Sequence, residues 1–209
     1  MENILSYRRL SLGLVFGPFI FIIASIVLCL LRPDYSMQSQ PLSALAIGFN
    51  GGFMRAAFII EGLFSIIGLF AVFRGLKNEF RTVSHWICAA LLIISPFGIL
   101  WAGIFTMKTL ALHMVGAQLA MATPIIVFPI AGFILRHVPD WRRLGTWMIA
   151  GGPITLALLV GFMMSIPFSE MVFGGGNFGL WQRALMFEVF FWYVAIGWLA
   201  FHLFTPEKQ

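Results

Sequence analysis

FMRAAFIIEGLFSIIGLFAVF, residues 53–73, decides the fold class. Its only charged residues are Arg55 and Glu61, and it is long enough to cross a hydrocarbon core of about 30 Å, for which a helix needs about 20 apolar residues. Five stretches of the same kind accompany it: Leu10 to Leu31, Trp86 to Phe105, Leu112 to Leu135, Leu144 to Ile166 and Trp181 to Phe204. In lipid the backbone must satisfy its own polar groups, as a helix or as a closed barrel. The period-two alternation of barrel strands is absent. The sequence therefore predicts an all-α, polytopic membrane protein with a six-transmembrane-helix bundle.

The whole chain agrees with that reading. Of 209 residues, 60% are hydrophobic and 10% charged, with a mean hydropathy of +0.95; soluble domains carry roughly a quarter charged residues. Six spans take up about 120 residues, leaving only short loops, so residues 1–209 read as a single membrane domain. The connections carry turn signals at Arg32-Pro33-Asp34, Arg74-Gly75, Val138-Pro139-Asp140 and Gly174-Gly175-Gly176-Asn177. The apolar run after Arg8 and Arg9 exceeds that of a signal peptide and reads as a retained first helix.

The net charge of +5 does not imply nucleic acid, because the basic residues form no run. They fit the bias that orients spans. With the N-terminus inside, nine of the thirteen lie on the cytoplasmic side: Arg8, Arg9, Arg74, Lys77, Arg81, Arg136, Arg142, Arg143 and Lys208. Arg32, Arg55, Lys108 and Arg183 fall outside or at the outer helix mouths. The expected topology is N-in/C-in. Cys29 and Cys88 lie in apolar segments without a CxxC partner and read as packing residues. Pro18, Pro96, Pro124, Pro129 and Pro153 fall within spans and should kink them, with neighbouring helices taking up the freed carbonyls. Between Arg32 and Phe53, Ser39 is placed to cap a short helix, with Pro41 in its first turn and Gly48 as its stop. Such a helix is too short to span. It is expected to lie in the interface of this first external loop, or to fold over the bundle as a lid.

Polar residues inside the spans point to a site. The second span begins with Arg55 and carries Glu61; the fourth begins with His113 and carries Gln118; the sixth begins with Gln182 and Arg183 and carries Glu188. All three run from outside to inside, so Glu61, Gln118 and Glu188 are expected about 10 Å below their helix starts. A carboxylate there should face the bundle and find a partner. Intrahelical pairing is poor, since Arg and Glu lie about 120° and 140° apart on their helices. Crossed pairing, Arg55 with Glu188 and Arg183 with Glu61, is the expectation. Enzyme signatures are weak. His85, His137 and His202 sit near helix ends without HxxxH or HExxH spacing, so no metal site is expected, and no lysine lies mid-span to hold retinal. No cofactor is implied.

The segment YSMQSQPLSALA, residues 35–46, and GILWAGIFTM, residues 98–107, followed by Leu112-His113, resemble the bacterial membrane family known as domain of unknown function 998. The likeness covers nearly the whole chain. It rests on Tyr35, Ser36, Ser39 and Ser43 in the loop and on Gly103, Phe105 and His113 around the turn; the chain departs from it at Thr106, Met107 and Lys108, where members often carry a proline and an acidic residue. The resemblance implies a fold and a membrane address, but no reaction.

The leading expectation is a protein of the bacterial inner membrane with an outward-facing polar pocket that binds or passes a small or amphipathic molecule. Arg55, Glu61, His113, Gln118, Arg183 and Glu188 would line it, under a roof from Tyr35 through Ser39 to Gly48. Arginine would hold an anionic head group and glutamate a proton. Two other classes compete: an accessory subunit of a larger membrane complex, its Phe-rich faces (23 Phe) packing on partner subunits, and an intramembrane enzyme acting on lipid with His113 as base. Membrane lipids are partners in every case.

Overall fold

A computed structural model describes residues 2–77, 82–165 and 176–205. The expectations at Arg81, Ile166, Gly174, Gly175 and Lys208 lie outside the described residues. Eight α-helices occupy the described chain: α1 (Glu2–Ser11), α2 (Gly13–Leu31), α3 (Gly51–Gly75), α4 (Thr82–Ile104), α5 (Leu110–Met121), α6 (Pro124–Leu135), α7 (Arg142–Met164) and α8 (Phe178–Leu203). They make six segments long and apolar enough to cross a membrane: Ile4–Leu31, Gly51–Gly75, Ser84–Ile104, Met107–Leu135, Pro139–Met164 and Phe178–Leu203. The all-α, six-span reading holds.

Each span packs on its neighbour in sequence, and α8 returns to α1 and α2, closing the ring. Small residues permit the close crossings: a Cβ on Gly13 would stand 2.5 Å from the Phe64 carbonyl oxygen, so α2 meets α3 backbone to backbone. The first and last helices meet at one end, where Arg8 Nε donates to Phe201 O at 2.9 Å; we call this the terminal end and the opposite one the loop end.

Two of the five prolines, Pro96 and Pro124, are accommodated as the sequence anticipates. Proline has no N–H, so Pro96 leaves Leu92 O without its helical donor and Pro124 does the same to Ala120 O. Tyr193 on α8 donates to Leu92 O at 2.8 Å. Ser95 on α4 donates to Ala120 O, also at 2.8 Å. Pro124 thus breaks the fourth span into α5 and α6, and side chains from neighbouring helices satisfy the carbonyls that both prolines free.

Two apolar clusters fill the ring. One, at the terminal end, includes Leu69, Phe73, Leu92, Phe128, Trp141 and Tyr193. The other, at the loop end, includes Phe21, Leu45, Met54, Phe58, Ile99, Leu185 and Phe190. Between them along the helices lies a belt of buried polar residues: Glu61 and Ser65 on α3, Ser95 on α4 and Thr155 on α7.

Candidate functional site

The loop joining α2 to α3 folds back over the bundle. Its short helix is a 3-10 turn, Leu42–Ala46, with Pro41 at the N-cap position and no side-chain cap. Ser39 is not its cap: the turn begins three residues later, and the Ser39 N–H points back to Ser36 Oγ at 3.3 Å. Gly48 follows the turn at φ +79°, the left-handed stop that glycine favours. Leu42 and Leu45 drive into the bundle at 3% and 0% exposure, so the turn is a plug rather than an interfacial helix. Arg32 holds it from below, with Nη1 donating to Ile47 O at 2.8 Å and Ala44 O at 3.2 Å. Asp34 pairs with the same guanidinium at 2.9 Å, which holds its carboxyl below the usual value.

Arg183 is the latch of this plug. Its Nη1 donates to Met37 O and Gly179 O, each at 2.8 Å, and to Gln40 O at 3.2 Å. Its Nη2 donates to the Tyr35 hydroxyl at 2.5 Å and lies 3.7 Å from Cys29 Sγ. Tyr35 in turn donates to the Gln40 and Pro41 carbonyls at 3.0 Å, and burial pushes its phenol above the usual value against the opposing charge of Arg183. The start of α8 completes the seal: Gly179 N–H donates to Gln38 O at 2.8 Å, and Leu42 N–H donates to Gln182 Oε1 at 2.7 Å. A helix leaves its first N–H groups without internal acceptors; here the loop supplies one. A side chain at 179 would stand 2.5 Å from the carbonyls of Met37 and Gln40, so the approach requires glycine.

Under the plug is a cavity of about 30 Å³, room for one or two waters. Three polar residues line it: Ser43 from the loop, His113 from α5 and Gln182 from α8. Phe21, Phe58, Ile99, Met121 and Met186 are among its apolar walls. His113 is fixed by Nδ1 against Phe105 O at 2.8 Å, which makes Nδ1 the protonated nitrogen and Nε2 the acceptor. No hydroxyl, thiol or carboxyl bonds to His113 among the described residues; Ser43 Oγ turns instead to Met107 Sδ at 3.2 Å. The site offers an imidazole and hydrogen-bonding groups without a partnered nucleophile among the described residues. Gly103 sets the wall behind it, since a Cβ there would lie 2.7 Å from Phe58 Cβ.

Of the residues expected at the site, the structure brings Tyr35, His113 and Arg183 to the plug and its cavity, while Ser39 stays half-buried in the loop. Arg55 and Gln118 are exposed on the outer faces of α3 and α5. Arg55 Nε lies 3.5 Å from Gly103 O, at the C-terminal end of α4, where a cation is favoured. Gln118 lies about 140° around the helix from His113, which excludes it from the cavity that His113 lines. The crossed ion pairs do not form. Arg55 faces outward, and Arg183 is engaged by the loop. Glu61, fully buried, accepts from Ser65 at 2.9 Å; its Oε2 has no partner among the described residues. Glu188 ties α7 to α8, accepting from Thr155 at 2.9 Å and from Trp192 Nε1 at 2.6 Å. The glutamates thus belong to the polar belt and not to the cavity.

Ser43 and Gln182 line the cavity but are not in the expected lining, although Gln182 is noted at the start of the sixth span. Gln182 heads a stripe with Met186 and Phe190 at spacings of four, all buried, and a polar residue at the top of a core-facing stripe was a readable signal.

Residues 15–199 match the family described as "Protein of unknown function (DUF998)". The chain belongs to this family. No curated protein and no solved structure shows significant similarity to it.

Proposed function

We propose that this DUF998 protein binds a small or amphipathic molecule in the cavity beneath the α2–α3 plug. In this reading residues 1–209 act as one membrane domain, N-in/C-in in a bacterial inner membrane, with the plug on the outer side; the bias of nine basic residues to four supports the orientation. The carrying observation is the lining of the cavity: His113, its Nε2 without a partner among the described residues, with Gln182 and Ser43 set among aromatic and aliphatic walls. Pockets that take ligands combine apolar walls with a few placed polar groups.

The polar groups also describe the ligand. None of them carries a fixed charge, and both Nη groups of Arg183 are engaged by carbonyls and a phenol. The ligand's head is therefore an uncharged hydrogen-bonding group, such as a hydroxyl or carbonyl, and its body is apolar. At about 30 Å³ the cavity is the closed form, and admission requires the plug to lift.

Mass spectrometry of organic extracts from protein purified in mild detergent tests the reading. An amphiphile with such a head should accompany the wild type and be lost from His113→Ala and from Ala117→Phe, which fills the cavity. Extracts identical across the three proteins would contradict it.

A further inference from the structure

The arginines of the terminal end are not equally placed. Arg8 bonds to Phe201 O, Arg74 lies 5.0 Å from the Phe70 ring and Arg136 lies 4.3 Å from that of Phe133. Arg142 and Arg143 differ. Both are exposed in the first turn of α7, and neither side chain makes a hydrogen bond, ion pair or ring contact among the described residues. The nearest acid in sequence, Asp140 in the 3-10 turn Pro139–Trp141, pairs with neither of them.

These two side chains border an open groove of about 470 Å³, whose other walls are Pro139, Thr146 and Trp147. Thr146 and Trp147 stand one turn below Arg142 and Arg143, four residues on in each case, so each pair shares a face of the helix. Side chains on a helix tilt toward its N-terminus, which aims both guanidiniums outward from the end of the span. Trp147, 63% exposed, lies one turn further into the membrane, at the level where tryptophans anchor spans. Adjacent like charges without a counter-ion repel, and an anion in the groove would relieve them.

We propose that this groove is a binding site for the phosphate head group of an anionic phospholipid, held by Arg142 and Arg143 with Trp147 against the glycerol region. A guanidinium matches phosphate oxygens in a two-pronged geometry. Charge selects the lipid: a zwitterionic head group carries a cation that the paired arginines repel. The site is separate from the cavity under the plug and does not depend on its ligand.

Native mass spectrometry of the full chain, titrated with phosphatidylglycerol or phosphatidylcholine, tests the proposal. The wild type should retain phosphatidylglycerol preferentially, and R142Q/R143Q should weaken that binding roughly 30-fold. R142K/R143K should keep part of the preference, because lysine supplies the charge without the fork, and Arg9→Gln, another exposed arginine, should keep all of it. Should the double glutamine variant fail to fold, Arg142→Gln and Arg143→Gln singly should each weaken binding roughly fivefold. Equal retention of the two lipids by the wild type would overturn the proposal, as would an unchanged preference in the glutamine variants. Displacement by inorganic phosphate as effective as that by phosphatidylglycerol would make this a site for free anions and overturn it too.

Discussion

Around Phe128, Trp141 and Tyr193, at the terminal end, the spans meet through aromatic and branched side chains, and hydrogen bonds there serve the helices' own carbonyls. Around His113 and Gln182, at the loop end, the spans meet beneath a separate piece of chain, held by Arg183 through backbone carbonyls and leaving a cavity. The same helices thus build two ends by different means. Interdigitated side chains pack the first end closely, and the hollow of about 290 Å³ there lies beside Val138, Trp141 and Phe204 and is not roofed by a separate piece of chain. A loop held by hydrogen bonds from Arg32, Arg183 and the start of α8 can be released as a unit, and ligand sites are drawn from such less stable regions.

Substitutions that remove the same kind of atom from the two ends should separate them. Phe128→Ala, at 0% exposure against the rings of Trp192 and Tyr193, should have the largest effect, about 3–5 kcal/mol in a detergent melt. Leu42→Ala in the plug should sit near the low end of about 2–5 kcal/mol, because the loop can settle into the space. Equal losses at the two sites would mean that the plug is packed like the rest of the bundle.

Added volume gives a smaller and sharper contrast. Ala131, 0% exposed in the terminal cluster, has no room to grow, and Ala131→Val should cost about 1–3 kcal/mol. Ala117 lines the cavity, and Ala117→Val should change stability by no more than about 0.5 kcal/mol. A larger loss at Ala117 than at Ala131 would argue that the cavity does not exist in the membrane-bound protein.

The end with fewer surprises is also the one the sequence describes better. Apolar runs of about 20 residues state their spans directly, and the proline at 96 announces a carbonyl that a neighbour must satisfy. The loop end rests on what sequence does not display. Arg183 binds backbone carbonyls, which every residue possesses, so nothing in the side chains of Met37, Gln40 and Gly179 marks them as its partners. Glu61 and Glu188 drew attention as carboxylates expected to pair with arginine, yet the outward face of Arg55 and the engagement of Arg183 by the loop leave hydroxyls and an indole as their partners. One separation was calculable in advance: the spacing of five from His113 to Gln118 already places them on different faces of α5.

Release of the plug is the property that the account depends on, and the reactivity of Cys29 reports it. Cys29 lies half-buried at the end of α2, with Sγ 3.7 Å from the latch guanidinium, while Cys88 is fully buried at the terminal end and serves as an unreactive control. A hydrogen bond to a charged group contributes about 1.5–3 kcal/mol, and 1.4 kcal/mol is a factor of ten. In detergent, a bulky polar maleimide should therefore label Cys29 slowly in the wild type and at least about tenfold faster in Arg183→Met, with Cys88 unlabelled in both. Equal rates of Cys29 labelling in the two proteins would show that Arg183 does not hold the plug shut.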